Sequence, residues 1–246
     1  QMKKSSLLLA LGTAGLALSV QAAEPTKTPF NVQQLVNLNK LHSAAVSNDG
    51  SKLVYAVKHI DEQGDSSSDL YLLDLTNKNA KPMQITSHKG TEHDVNFSVD
   101  DKSIYFLAAR DGSSQLYNLS LSGGEALQVT DLPLDVNGYK LSNDGKQVVM
   151  NMRVFPECKD LACTVDRIAE EENKKTTGRE YKQLMVRHWD TWEDHARNHL
   201  FVGQLNGKPV TEVVDVTLGL DTETPPKPFS GMEEVTFTAD GKHIVY

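Results

Sequence analysis

A short turn motif recurs four times along this chain of 246 residues, and it constrains the fold more than any other feature. Each copy has an apolar residue, a Ser or Thr, an Asp-Gly-type turn and then a strand of β-branched and aromatic residues. The copies lie at residues 45–55, 97–106, 141–149 and 237–246. Because glycine accepts a positive φ without a Cβ clash, Asp-Gly between strand-like runs is a strong signal for a β-hairpin. The chain is therefore predicted to repeat one hairpin-based unit.

The spacing of the turns predicts the blades of a β-propeller. Asp49, Asp100 and Asp144 are 51 and 44 positions apart, which is the range of four-stranded blades. The 3.6-residue periodicity of stacked helices is missing from these segments. We therefore predict an all-β fold, a β-propeller of four-stranded antiparallel blades, with three blades and the start of a fourth over residues 45–246. Because a propeller ring needs four to eight blades, the propeller is expected to be incomplete in this chain.

The third interval is about twice as long, since Asp144 and Asp240 are 96 positions apart. Either an extra blade is hidden there, or the third blade carries a long insertion. We favour a helical, disulfide-containing insertion over residues 155–184, because the charged run at 166–175 has helical propensity and no strand pattern. The blade is expected to resume at 184–188 and 199–203, followed by a strand at 209–216. A proline-rich linker, with Pro225, Pro226 and Pro228, then leads into the fourth copy.

The first 23 residues predict an exported protein. Lys3 and Lys4 precede an apolar run at 7–20, and small residues follow at the positions that a signal peptidase reads. The apolar run is short and interrupted by glycine, which disfavours a membrane-spanning anchor. Residues 24–44 are interpreted as a lead-in with a short helix or turn at 32–41. A periplasmic or secreted bacterial location is predicted.

Two cysteines, Cys158 and Cys163, are separated by four residues. In an exported chain this spacing permits a local disulfide, and two free thiols are the alternative. Two thiols alone do not make a structural zinc site.

The remaining polar residues predict neither a metal nor a cofactor. His188, His195 and His199 do not form an H-E-x-x-H motif, and hydrogen-bonded structural roles are expected for them. The turn acids lack the pattern of a calcium loop. A net charge of -8, from 33 acidic and 25 basic residues, gives no electrostatic reason to expect nucleic acid as a partner.

Two motifs beside the charged run are more specific than the blades: residues 154–164, and residues 184–192 followed by 197–202. Together they resemble exported bacterial serine peptidases of the prolyl oligopeptidase family, in the branch of dipeptidyl peptidase V and the acylaminoacyl peptidases. One departure is His195, where the family pattern has Gly after Asp194. The resemblance implies an N-terminal propeller that covers a C-terminal α/β-hydrolase domain with a Ser-Asp-His triad. The G-x-S-x-G elbow of that domain does not occur in this sequence, so no catalytic residue is assigned and the hydrolase domain is expected to be absent from this chain.

The function implied by the resemblance is to gate the access of peptides to that hydrolase domain. The implied partners are a peptide substrate and the protein's own hydrolase domain, without nucleic acid or membrane, and a homodimer of the full-length protein is compatible with it. Family members hold the peptide N-terminus through propeller carboxylates, so Trp189, Asp190 and Trp192 are the candidate substrate contacts. The acidic run at 170–172 is a second candidate, although such runs are usually solvated helix faces. This chain alone is expected to be inactive.

The alternative function comes from a different class of protein. Periplasmic TolB-like propellers bind partner proteins without catalysis, and their blades carry the same turn. The two stretches around the insertion favour the peptidase.

Overall fold

The computed structural model describes residues 29–246, apart from positions 62, 179, 180, 182, 183, 185, 228 and 229 and the side chain at position 188. The predicted signal peptide at 1–23 lies outside the described residues. Within the described part, the chain forms three four-stranded and two two-stranded antiparallel sheets. The predicted all-β propeller of four-stranded blades is therefore confirmed, and it is incomplete as expected.

Each four-stranded sheet is one blade, whose strands pair in chain order. After helix α1 (Val32–Val36), blade 1 contains β1 (Lys40–Val46), β2 (Lys52–Ile60), β3 (Ser66–Asp74) and β4 (Met83–Gln84). Blade 2 contains β5 (Glu92–Phe97), β6 (Ser103–Ala109), β7 (Ser114–Ser120) and β8 (Leu127–Gln128). Blade 3 begins with β9 (Gly138–Leu141) and β10 (Gln147–Val154), and an insertion follows with α2 (Leu161–Glu172), β11 (Arg187–His188) and β12 (Thr191–Trp192). Blade 3 ends with β13 (Arg197–Gln204) and β14 (Val214–Asp215), and a 3-10 helix (Met232–Glu234) precedes β15 (Thr236–Phe237) and β16 (Ile244–Val245) of the fourth unit.

Four boundaries differ from the sequence-based prediction. The first blade begins at Lys40 instead of residue 45, and helix α1 is shorter than the predicted 32–41. The prediction that blade 3 resumes at 184–188 is wrong, because the described residues there form a separate hairpin in which β11 pairs only with β12. Strand β13 instead pairs with β10 over its whole length, from Val154 opposite Arg197 to Gln147 opposite Gln204. The predicted strand at 209–216 is reduced to β14.

The four turns share one hydrogen-bond arrangement. In each, the hydroxyl group of a Ser or Thr donates to the turn carboxylate and accepts a backbone N–H from five positions later. The oxygen–oxygen distances are 2.6 Å for Ser47–Asp49, 2.8 Å for Ser98–Asp100, 2.7 Å for Ser142–Asp144 and 2.6 Å for Thr238–Asp240. These hydrogen bonds hold the pKa of each carboxyl below its usual value, to about 2 for Asp49. The turn acids are thus occupied by structural bonds.

The turns of neighbouring blades also contact each other. Asp101 stands where the other three copies have Gly, and it adopts a left-handed conformation with φ of 56°. Its carboxylate accepts the backbone N–H groups of Asn48 at 2.8 Å and Asp49 at 3.0 Å, both in blade 1. In the same way, the side chain of Asn143 donates to the carbonyl oxygen of Thr238 in the next unit, at 3.4 Å. Asp tolerates this backbone region better than most residues do. The turn of blade 2 therefore forms without glycine at this position, and the Asp side chain adds a contact with blade 1.

The hydrophobic core lies between the blades. One cluster joins blades 1 and 2 around Leu70 and Phe106, another joins blades 2 and 3 around Tyr139 and Met150, and a smaller one joins blade 3 to the fourth unit. Strand β10 has five consecutive buried residues, from Val148 to Met152, because blades cover both of its faces.

No helix in the described ranges is long and apolar enough to cross a membrane.

We expect Asp101→Ala to lower the free energy of unfolding by about 1–2 kcal/mol, because it removes the three hydrogen bonds that Asn48 and Asp49 donate to the carboxylate and leaves a Cβ in the left-handed region. Asp101→Asn should lose less, since its amide oxygen can still accept and Asn also tolerates this conformation. Urea denaturation measures the difference, and Lys102→Ala, on the exposed side of the same turn, serves as the control. Equal stability of the Ala and Asn variants would contradict the interblade role of Asp101.

Candidate functional site

The insertion of blade 3 forms a cleft of about 1020 Å³. The Asp-Gly-type turns join the first and second strands of each blade, whereas the insertion joins the second and third strands of blade 3. Because the strands are antiparallel, the cleft lies at the end of the propeller opposite the turns. Its walls are the start of the insertion, helix α2, the segment 193–197 and Asp221.

A disulfide fixes the beginning of the first wall. Cys158 and Cys163 are bonded, with their Cα atoms 5.5 Å apart, so the predicted disulfide is confirmed. The side chain of Asp160 caps helix α2 by accepting the backbone N–H of Cys163 at 2.8 Å. Thr164 is the only described residue of the helix that is buried. The helix is therefore attached to the blade mainly through its N-terminal turn.

Paired charges line the helix side of the cleft. Arg167 forms an ion pair with Glu157, and its guanidinium lies 4.1 Å from the ring centroid of Phe155. Just beyond the C-terminal end of the helix, Lys174 pairs with Glu171. Exposed pairs of this kind contribute little to stability, but they neutralise the two cations on this wall.

The base of the cleft is a network around two arginines. Arg197 binds Glu193 at 2.9 Å and Asp221 at 3.0 Å, and Arg153 binds Asp194 at 2.6 Å. The network connects the end of the insertion to the linker that leads to the fourth unit. It therefore couples the cleft to the blade framework.

Glu223, in that linker, extends the network. Its carboxylate accepts the backbone N–H of Asn198 at 2.8 Å and lies 3.7 Å from Arg153. Burial raises the pKa of the Glu223 carboxyl, and the Asn198 hydrogen bond and the arginines partly offset this rise.

The charges of the cleft do not balance. Six carboxylates and three cations line it: Glu157, Glu171, Glu172, Glu193, Asp194 and Asp221 against Arg167, Lys174 and Arg197. Among the described residues, Glu172 has no ion-pair partner. The hydroxyl group of Tyr181 is buried in the cleft wall and lacks a hydrogen-bond partner within the described part of the chain. The arrangement is suited to a ligand with a positive charge and an apolar portion.

The residues predicted to contact substrate lie beside the cleft. Trp189 and Asp190 form the exposed turn of the β11–β12 hairpin, and 70% of Trp189 is accessible to solvent. Trp192 stacks on Tyr181, with ring centroids 5.9 Å apart, and Arg187 lies 5.3 Å from its ring centroid. Trp192 therefore supports a residue of the cleft wall.

The acidic run at 170–172 is the second candidate for substrate contact. Two of its residues, Glu171 and Glu172, line the cleft. Sequence reasoning missed Tyr181 and Asp221, which are far from each other in sequence and have no motif around them.

The histidines of this region have different roles. His199 is 1% exposed, and its two ring nitrogens lie 2.8 Å from an Asp215 carboxylate oxygen and 2.9 Å from the carbonyl oxygen of Leu220. This is the structural, hydrogen-bonded role expected from the sequence. His195 has φ of 65°, which explains why the family pattern has Gly at this position. In the described ranges, no group of three or more His, Cys, Asp or Glu residues is placed to hold a metal ion.

Replacing His195 should reveal its backbone conformation. We expect His195→Gly to be about 1 kcal/mol more stable than His195→Ala. Glycine relieves the strain of a positive φ, and this gain exceeds the larger entropic cost of fixing a glycine on folding. At Lys175, which is exposed and has no positive φ, the Ala variant should be at least as stable as the Gly variant. Urea denaturation of the four variants measures their stabilities. If the Gly and Ala variants had the same order of stability at both positions, the prediction would be contradicted.

Comparison with known proteins agrees with this architecture. The sequence profile of the TolB β-propeller domain matches residues 27–176. Dipeptidyl-peptidase 5 of Porphyromonas endodontalis is 29% identical to this chain over an alignment of 255 residues. The alignment covers 99% of this chain and 36% of that protein. Dipeptidyl-peptidase 5 of Porphyromonas gingivalis is 28% identical, over 98% of this chain and 34% of that protein. The predicted resemblance is thereby confirmed, and this chain spans about a third of the length of these relatives.

A solved structure, the acylaminoacyl peptidase of Pyrococcus horikoshii, superimposes with a TM-score of 0.53 at 12% identity, covering 76% of this chain and 27% of that one. At this level of identity the likeness concerns the fold alone. Together with the turns, the blades and the profile match, it leads to one conclusion: the chain belongs to the TolB β-propeller domain family.

Proposed function

We propose that this chain is the N-terminal propeller portion of an exported serine exopeptidase that releases dipeptides or blocked residues from peptides. The observation that carries the proposal is the alignment of almost the whole chain with about a third of each dipeptidyl-peptidase 5. The remaining length of such a protein would supply further blades and a hydrolase domain with the Ser-Asp-His triad. The export signal at residues 1–23 is part of the same proposal.

The propeller's task in this proposal is to gate the hydrolase domain. Blades packed side by side through apolar cores form a rigid wall. Such a wall over an active site excludes folded proteins and admits flexible peptides.

The cleft of the insertion is the proposed contact for the N-terminal ammonium group of the peptide. Its carboxylates outnumber its cations, and Glu172 has no ion-pair partner among the described residues. Tyr181, backed by Trp192, and Phe155 offer aromatic surface to an adjoining side chain. Trp189 and Asp190, exposed on the neighbouring hairpin turn, are proposed as outer contacts of the same substrate.

A second candidate function is the binding of partner proteins by a non-catalytic propeller. The profile match to the TolB β-propeller domain favours it, because that family model covers the blades and not a hydrolase. The relatives with peptidase names favour the first candidate.

Activity of the full-length protein separates the two candidates. We expect the full-length protein to release dipeptides from short peptides with a free N-terminus, and residues 24–246 alone to release none, because they contain no nucleophile elbow. Chromatographic analysis of the products, with a serine-directed inhibitor as control, measures both. Hydrolysis by residues 24–246, or none by the full-length protein, would overturn the proposal.

Glu172→Gln in the full-length protein should raise KM about two- to fivefold with little change in kcat, because an exposed ion pair contributes up to about 1 kcal/mol. Peptides with an acetylated N-terminus should show no such change. The matched control is Glu125→Gln, which removes the same charge from an exposed loop of blade 2. An unchanged KM for free peptides would remove Glu172 from the proposed site without touching the peptidase assignment.

A further inference from the structure

The hydroxyl group of Tyr181, in the wall of the insertion cleft, has no use in the folded chain itself. Its oxygen atom is shielded from solvent and forms no hydrogen bond with any described residue. A buried hydroxyl group without a hydrogen bond lowers stability, so such groups in folded proteins need an explanation. The proposed peptide site uses the ring of Tyr181 and leaves its hydroxyl group unassigned.

Stacking fixes the position of the Tyr181 ring. It lies against Trp192, with ring centroids 5.9 Å apart and an interplanar angle of 29°. The guanidinium group of Arg187 lies 5.3 Å from the ring centroid of Trp192, and these two residues are opposite each other in the β11–β12 hairpin. At the base of the hairpin, the backbone N–H of Glu193 donates to the carbonyl oxygen of Val186 at 3.1 Å. The hairpin therefore positions the ring of a residue that lies outside it.

The cations that line the cleft already bind carboxylates. The described pairs are Arg167 with Glu157, Lys174 with Glu171, and Arg197 with Glu193 and Asp221. Carboxylates still outnumber these cations in the lining. The cleft thus offers acceptors to a positively charged ligand, and the hydroxyl group of Tyr181 adds a buried donor that no described residue uses.

The N-terminus of a peptide has the complementary order of polar groups. Its ammonium group carries donors only, and the next oxygen along the main chain is the carbonyl oxygen of the first residue, which is an acceptor. The ammonium group matches the carboxylate of Glu172, and the carbonyl oxygen matches the hydroxyl group of Tyr181. Both side chains line the same cleft.

We propose that Tyr181 is a substrate-binding residue, whose hydroxyl group donates a hydrogen bond to the carbonyl oxygen of the first residue of a bound peptide. Trp192 is then a positioning residue, because it contacts the ring of Tyr181. The inference rests on the proposed peptide site and adds a second requirement to it. The ligand needs both a free ammonium group and the carbonyl group of its first residue, so a simple amine is a poor ligand.

The variant Tyr181→Phe separates binding from folding. It removes the hydroxyl group alone and keeps the ring and its stacking. Because the hydroxyl group has no partner within the described part of the chain, its loss should leave the urea midpoint of the full-length protein unchanged or higher. A structural hydroxyl group would give the opposite result, since its removal breaks a hydrogen bond. A lower midpoint would therefore overturn the proposal.

Calorimetric titration of the full-length protein measures the effect on binding. The first ligand is an alanine peptide with a free N-terminus, N-methylated at the bond after its second residue to resist hydrolysis. We expect Tyr181→Phe to raise its Kd about three- to tenfold, the size of one neutral hydrogen bond. The second ligand has a trans-alkene in place of its first peptide bond, so it keeps the ammonium group and lacks the first carbonyl group. Its Kd should not change.

The matched control is Tyr71→Phe, which removes a hydroxyl group from another stacked ring, 5.7 Å from Tyr55 in blade 1. It should leave the Kd of both ligands unchanged. An unchanged Kd of the peptide in Tyr181→Phe, or an equal rise for both ligands, would overturn the proposal.

A double-mutant cycle tests the positioning role of Trp192. In Trp192→Ala the ring of Tyr181 loses its stacking partner, so adding Tyr181→Phe should raise the Kd of the peptide by less than about twofold. A full effect in both backgrounds would disprove this role.

The binding measurement does not depend on hydrolysis, so the two proposals can fail separately. If the full-length protein hydrolyses no peptide but shows the expected loss of affinity in Tyr181→Phe, the peptidase proposal fails and the Tyr181 contact stands. If the protein hydrolyses peptides and Tyr181→Phe binds them as the wild type does, only the Tyr181 contact fails.

Discussion

The hydrogen bond between a turn hydroxyl group and the carboxylate two positions later is the interaction on which the architecture depends. It appears in all four units with nearly the same length. The same hydroxyl accepts the backbone N–H five positions after it, so one side chain fixes both the turn and the start of the second strand. Once the first two strands of each blade have a fixed register, apolar side chains of adjacent blades meet, and turn residues such as Asn48 and Asp101 align the blades.

This explains what the sequence could and could not predict. The turn is a local arrangement within six residues, so its repeats predicted the number and order of the blades. The start of β1 was missed because a register irregularity between Leu41 and Ser43 interrupts the alternation of apolar and polar residues. The strand predicted at 199–203 lies within β13, but the return of the blade was placed too early, at 184–188, because the pairing of Arg197 with Val154, 43 positions earlier, depends on long-range contacts. Tyr181 and Asp221 meet in the cleft only after that pairing has formed.

The insertion is built differently from the blades. Helix α2 buries little apolar surface, and its position depends on a disulfide, a capping carboxylate and the contacts of Arg167 with Phe155 and Glu157. Local constraints of this kind order a segment without making it part of the core. The arginine network at the base of the cleft then ties the insertion to the linker before the fourth unit. Covalent and polar contacts therefore hold the insertion, whereas apolar packing holds the blades.

The two ends of the propeller consequently carry different kinds of residues. At the turn end, the hydroxyl and the carboxylate occur in all four units, because the hairpin requires both. At the opposite end, the position five residues before the hydroxyl is His in blades 1 and 2, Asn in blade 3 and Glu in the fourth unit. No shared hydrogen bond constrains that position, so the units are free to differ there. The insertion and its unbalanced charges lie at this end, which is where a repeat fold can acquire chemistry without losing its register.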